Sequence, residues 1–208
     1  MREFTEGYVP VHPVLLHAMS WARELGVPAI APAAGAALRL LAAAAQAKAV
    51  IEIGTGTGVS GLWLLQGMRA DGVLTSIDIE PEHQALAKQS IAAAGFAPGR
   101  TRLIAGTARE LLPRLADGAY DLVFVDCEVE EYAHCVGAAH RLLRDGGLLV
   151  VNNALGVNGG AVNPALHDPE SATMRELLAY LRDAPEWTPA LFPTGTGLLC
   201  ATKNPSSI

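Results

Sequence analysis

The stretch Glu52-Ile-Gly54-Thr-Gly56-Thr-Gly58-Val-Ser60 places three glycines within five residues, after one apolar run and before another. Glycines so spaced let a strand turn tightly into a helix and let a ligand approach the backbone closely. The free N–H groups at the start of that helix can hold a carboxylate or a phosphate. A turn that binds nothing uses the same residues, so the loop alone does not choose. Asp78 ends the next β-branched run, where an acid can hold a ribose.

Two nucleoside cofactors compete for such a loop. Gly56-Thr-Gly-Val-Ser-Gly61 satisfies the GxGxxG pattern of dinucleotide binding, which would make the chain an NAD(P)-dependent oxidoreductase. S-adenosylmethionine (SAM) is favoured by Glu52, two residues ahead of the first glycine. A carboxylate there attracts the ammonium and sulfonium of SAM and repels a pyrophosphate.

The elements that must carry these residues follow from hydrophobic pattern and turn chemistry. Residues 1–30 read as an N-terminal helical extension, with a helix opened by Pro13 and stopped by Gly26, and residues 31–208 as the main domain. A second helix is expected over Ala33–Gln46. Strands are expected at Ala49–Ile53, Val73–Asp78, Thr101–Ala105, Tyr120–Val125 and Leu148–Asn152, the last entered by a turn at Gly146-Gly147. Helices near Val59–Met68, Pro81–Ala94, Ala108–Leu115 and Glu130–Leu143 separate them. Such alternation gives a parallel sheet with helices on both faces. A loop over Gly156–Pro169 and a helix near Ser171–Arg182 lead to two strands, Thr188–Phe192 and Leu198–Thr202, whose short connection predicts an antiparallel hairpin. The fold class is α/β, a Rossmann-like sheet of seven mostly parallel strands. The closing hairpin also favours SAM.

Composition narrows the partners. The 208 residues carry a net charge of −6, and no block of Lys and Arg offers a nucleic-acid surface. Charged and polar residues interrupt every apolar stretch before it reaches membrane-spanning length, and the N-terminus has no secretory pattern. Cys127, Cys135 and Cys200 show no CxxC spacing, so reduced thiols in a cytoplasmic protein are expected.

The chain resembles the catechol O-methyltransferase-like family, which includes the caffeoyl-CoA-type enzymes, from about Ile30 to Lys203. The resemblance rests on Val50–Ser60, on Leu74-Thr-Ser-Ile-Asp-Ile-Glu-Pro81, and on Tyr120-Asp-Leu-Val-Phe-Val-Asp126 followed by Tyr132. Leu142-Leu-Arg-Asp-Gly-Gly-Leu148 and the ending Leu191-Phe-Pro-Thr-Gly-Thr-Gly-Leu198 add to it. It implies a class I methyltransferase that uses SAM to methylate a hydroxyl of a small phenolic or catechol-like acceptor. It also implies a homodimer, with the apolar face of the N-terminal helices as one pairing surface. Glu52, Gly54, Gly56 and Gly58 would shape the methionine end of the cofactor site, with Ser60 on the carboxylate. Asp78 would accept both ribose hydroxyls. Ile79, Gly106, Thr107 and Ala108 would lie along the adenine, with Arg109 at its rim, and Asp126 would border both cofactor and acceptor.

That family holds a divalent metal, Mg²⁺ or Ca²⁺, with two aspartates and an asparagine. Asp126 matches the first ligand, but the pair after the fifth strand is Asn152-Asn153, which removes one negative charge. A lysine common three residues after the first ligand is here Val129, which moves no proton. Glu128, Glu130, His134 and His140 are the nearby replacements. Asp126 and Asn153 are the catalytic candidates, and three readings of the site follow: a weak metal on Asp126, Asn152 and Asn153; metal-free transfer, in which binding aligns an already nucleophilic acceptor with the sulfonium methyl group; or a SAM-binding protein without catalysis. Asn158, Asn163, His167 and Asp168 lie on a loop that shapes the acceptor pocket in the family, and Met19 and Trp21 are candidates to cap it.

Overall fold

β1 (Ala49–Ile53), β2 (Val73–Asp78), β3 (Thr101–Ala105) and β4 (Tyr120–Val125) form over the residues expected from sequence. The computed structural model describes residues 2–156 and 159–205. β5 (Leu143–Val151), β6 (Trp187–Phe192) and β7 (Leu198–Lys203) complete one sheet in the order β3-β2-β1-β4-β5-β7-β6. The first five strands run parallel, and β7 pairs antiparallel with both β5 and β6.

Eight α-helices accompany the sheet among the described residues: α1 (Arg2–Glu6), α2 (Pro13–Leu25), α3 (Pro32–Ala44), α4 (Val59–Gly67), α5 (Pro81–Ala93), α6 (Ala108–Leu111), α7 (Tyr132–Leu142) and α8 (Pro169–Asp183). α2 begins with proline, which needs no N–H partner at a first position. It ends at Gly26 in the left-handed region, with φ of 68°. Successive strand residues feed opposite layers because their side chains alternate. Ile51, Val123 and Val125 pack with α7 and α8, whereas Val50, Leu122 and Phe124 pack with Leu15, Leu38 and Trp63 from α2, α3 and α4. Both faces of the sheet are therefore buried, as parallel strands require. None of the helices is long and apolar enough to cross a membrane, among the described residues.

Two boundaries differ from expectation. β5 starts at Leu143, and Gly146-Gly147 sits inside it as a bulge rather than before it as a turn. Tyr120 faces Leu143 and Leu122 faces Leu148, so the intervening residues of β5 loop out, with Gly146 at φ of 72°. α6 is one turn long and passes into a 3-10 turn over Leu112–Arg114, because Pro113 has no N–H to donate within a helix.

Strand order runs from β1 outward through β2 and β3 on one side, and through β4 and β5 on the other. A crevice opens at the carboxyl ends of β1 and β4, where the winding reverses.

Candidate active site

That crevice is a cavity of about 810 Å³. The end of β1 and the end of β4 meet at its base. Gly54, at φ of 99°, donates its N–H to the Ile77 carbonyl at 2.9 Å, and a Cβ there would lie 1.8 Å from the Asp126 carbonyl oxygen. Only glycine lets the chain turn at this point. Gly56 and Ser60 line the cavity beyond it, while Gly58 caps α4 and does not reach the lining.

Asp78 holds this loop together. Its Oδ2 accepts the N–H groups of Thr55 and Gly56, each at 2.9 Å, and its Oδ1 accepts that of Glu80 at 2.9 Å. His83 Nδ1 stands 3.5 Å from the same Oδ1. A carboxylate offers about four acceptor directions, so three are already filled. Asp78 lines the cavity, but the expectation that both oxygens wait for two ribose hydroxyls needs amending: the free capacity is on the His83 side. Ile79, Gly106, Thr107 and Ala108 form the neighbouring wall, with Arg109 beside them. Gly106 N–H donates to the Asp78 carbonyl, and Thr107 caps α6 through the Glu110 N–H.

Glu52 lies elsewhere than expected. It is fully buried beneath the floor, against Gly61 of α4, and does not line the cavity. Ser76 Oγ donates to its Oε2 at 2.6 Å and lies 2.7 Å from Thr55 Oγ1, while Oε1 is buried with no hydrogen-bond partner. Burial pushes its pKa up to about 7 against the pull of the Ser60 and Ser76 hydroxyls, and the carboxylates of Asp126 and Asp78 add to the rise.

At the other end, Asp126 and Asn153 line the cavity, and Asn152 is buried behind them. Asn152 Nδ2 donates to Asp126 Oδ1 at 3.0 Å and Asn153 Nδ2 to the same oxygen at 3.3 Å. Asn153 Oδ1 is taken by the Thr196 hydroxyl on the β6–β7 connection. Asn153 adopts φ of 55°, a left-handed conformation that asparagine tolerates better than most residues. Desolvation raises the Asp126 pKa to about 6 against the lowering pull of the Asn152 amide. Tyr132 is buried beside them and directs its hydroxyl to the Asn152 carbonyl at 3.4 Å.

Several candidates sit away from the cavity. His134 faces a separate small hollow with Leu112, Pro113 and Arg141, and His140 packs edge-on against Trp187. Glu130 does not reach the lining, and of the proposed replacements for lysine only Glu128 does. Trp21 meets His17 edge-on and Met19, half-buried, packs against the core. Asp168 caps α8 by accepting the Ser171 N–H, and Asn163 accepts the Ala165 N–H. Neither they nor His167 line the cavity; Asn158 lies outside the described residues.

Other contributors were not singled out from sequence. Gly26–Ile30, between α2 and α3, lines the cavity, and Thr57 fastens the glycine loop to α2 by donating to the Ala18 carbonyl at 2.8 Å. His83, Glu131 and Glu170 also reach it, as do Cys127 and Val129, which the sequence marks only as a thiol and as the replacement of a lysine. A histidine placed to return one turn into the helix behind Asp78 was the available signal for His83. The Gly26–Ile30 contact is non-local and left none.

The fold and this cavity define a nucleoside-binding α/β enzyme. A family model described as O-methyltransferase matches residues 16–204. A Mycobacterium tuberculosis protein named "Probable O-methyltransferase" is 49% identical over 199 residues, covering 96% of this chain and 88% of that one. Among solved structures, a Corynebacterium glutamicum protein superposes with a TM-score of 0.90 at 32% identity, covering 99% of this chain and 96% of that one. The Streptomyces achromogenes O-methyltransferase TomG, solved in complex with SAM and involved in tomaymycin synthesis, gives 0.87 at 29% identity, with 98% and 95% covered. The chain belongs to the O-methyltransferase family. SAM is its cofactor and methyl transfer to oxygen its activity.

Proposed function

We propose that this enzyme methylates a hydroxyl of a small phenolic acceptor without a divalent metal, and that Asp126 receives the hydroxyl proton. The carrying observation is the clamp on Asp126: two asparagine amides donate to Oδ1, and neither takes Oδ2. The donor set does not suit a hard dication. Such ions favour several carboxylate oxygens, and here a single carboxylate stands with two neutral amides.

SAM, when bound, supplies a methyl carbon made electrophilic by the adjacent sulfonium. The chain must bring an oxygen into line with it and take up a proton as the oxygen–carbon bond forms. A carboxylate whose acid has a pKa of about 6 is ionised and a competent proton acceptor near neutral pH, and its second oxygen stays available while the amides fix the first. Asn152 and Asn153 are positioning residues in this scheme. Glu52, Gly54, Gly56, Ser60 and Asp78 support the cofactor's methionine and ribose, and Ile79 with Gly106–Ala108 its adenine.

Charge supports a free phenol over a coenzyme A thioester. Glu80, Glu128, Glu131 and Glu170 line the cavity with Asp78 and Asp126, and Arg109, the guanidinium among the lining residues, is paired with Glu131 at 2.9 Å. Phosphates approaching this mouth meet like charge. A panel of free catechols and their coenzyme A esters with labelled SAM tests the reading. Methylation confined to free phenols is expected. Preferred turnover of the esters contradicts it, and no transfer to any acceptor favours a SAM-binding protein without catalysis.

A further inference from the structure

We infer that Glu52 is a neutral carboxylic acid in the cofactor-free protein and ionises when the cationic end of SAM settles above it, so that binding SAM expels a proton. The inference rests on SAM occupying the crevice with its methionine end at the glycine loop.

The geometry carries it. Glu52 is fully buried in the middle of β1, and its Oε1 has no partner. Its surroundings contribute no cation. β2 contributes Ser76, Leu74 and, at its end, Asp78. α4 contributes Ser60 and Gly61, and the chain after β4 contributes Asp126. The two charged neighbours are both negative. An ionised carboxylate here would have one bonded oxygen and no counter-ion, a state that buried groups escape by taking up a proton. Ser60 lies near enough to favour the charged form without completing a hydrogen bond to Oε1.

The site also has an exit. Glu52 Oε2, Ser76 Oγ and Thr55 Oγ1 form a hydrogen-bonded chain, and Thr55 lines the cavity. In the neutral acid the Glu52 O–H donates to Ser76 Oγ, which turns its own hydroxyl to Thr55. As that O–H bond breaks the proton passes through Thr55 to buffer, Ser76 turns back to donate to the carboxylate, and the cation above takes over the charge balance. The ammonium and sulfonium of SAM supply that cation. Glu52 is thus a positioning residue whose charge appears only when there is something to hold.

The sign of the pH dependence follows. The free-state pKa of about 7 falls when a cation binds, so SAM affinity is flat above pH 7 and weakens below it, approaching tenfold per pH unit. Calorimetry of SAM binding in buffers of different ionisation enthalpy reads the proton count directly. Because burial raises the free-state pKa to about 7, clear proton release is expected at pH 6 and much less at pH 8. Glu52→Gln should remove most of the release at pH 6, leaving the share that Asp126 contributes, and Asp126→Asn should keep the larger Glu52 share. The unsubstituted protein gives an independent check, because an infrared band of a protonated buried carboxyl should disappear when SAM is added at pH 6. SAM binding with no proton release at pH 6, or release undiminished in Glu52→Gln, overturns the inference. Failure to bind SAM at any pH would instead overturn the cofactor assignment.

Discussion

Two carboxylates, Asp78 at the end of β2 and Asp126 just after β4, flank β1 on either side and have different surroundings. Asp78 accepts three backbone N–H groups, shapes the glycine loop and keeps one acceptor direction, whereas Asp126 is held by amides on one oxygen and keeps the other. Asp126→Asn should lower kcat by about 10²–10⁴-fold, the range for loss of a proton acceptor, with little change in the SAM dissociation constant. In the unsubstituted enzyme kcat should fall below pH 6 as Asp126 protonates, measured at saturating SAM so that cofactor affinity does not intrude. A kcat flat down to pH 5 would remove Asp126 as the base. Asp78→Ala should weaken SAM binding by about 1–3 kcal/mol, since charge-assisted hydrogen bonds are lost. It should also lower the melting temperature, because the Thr55, Gly56 and Glu80 N–H groups lose their acceptor. An unchanged dissociation constant would limit Asp78 to a structural part.

At the scale of elements, the β1–α4 turn and the neighbouring end of β4 work as one unit. Gly54→Ala would drive a methyl group into the Asp126 carbonyl and impose an unfavourable backbone. Loss of SAM binding should exceed loss of stability, seen by comparing calorimetry with thermal unfolding; retained binding would show that the turn can move aside. This unit was legible in the sequence because glycine spacing and β-branched runs are local signals. The bulge in β5 was not, since a Gly-Gly pair reads as a turn unless the partner strand is known, and Tyr120 and Leu122 supply that partner. Spacing also could not say which face His134 and His140 take. Both lie on α7, within reach of Asp126 in sequence, yet the helix turns one to a hollow and the other to Trp187. Glu52 was recognised by position, but an alternating strand gives no depth, and its burial beneath the loop appears only once α4 is laid over it.

For the whole molecule, the N-terminal segment is part of the site. Gly26–Ile30 lines the cavity, Thr57 ties the loop to α2, and Leu15 and Ala18 share a core cluster with β1 and β4. These links are long-range, so the sequence showed a helical extension without showing what it covers. On the proposed reading, the acid-lined mouth and the two-amide clamp supply charge balance from within rather than by a bound ion. The most direct test is the initial rate of methyl transfer from SAM to one accepted catechol, measured with EDTA and with added Mg²⁺. Equal rates are predicted; activity lost in EDTA and restored by Mg²⁺ would contradict the account.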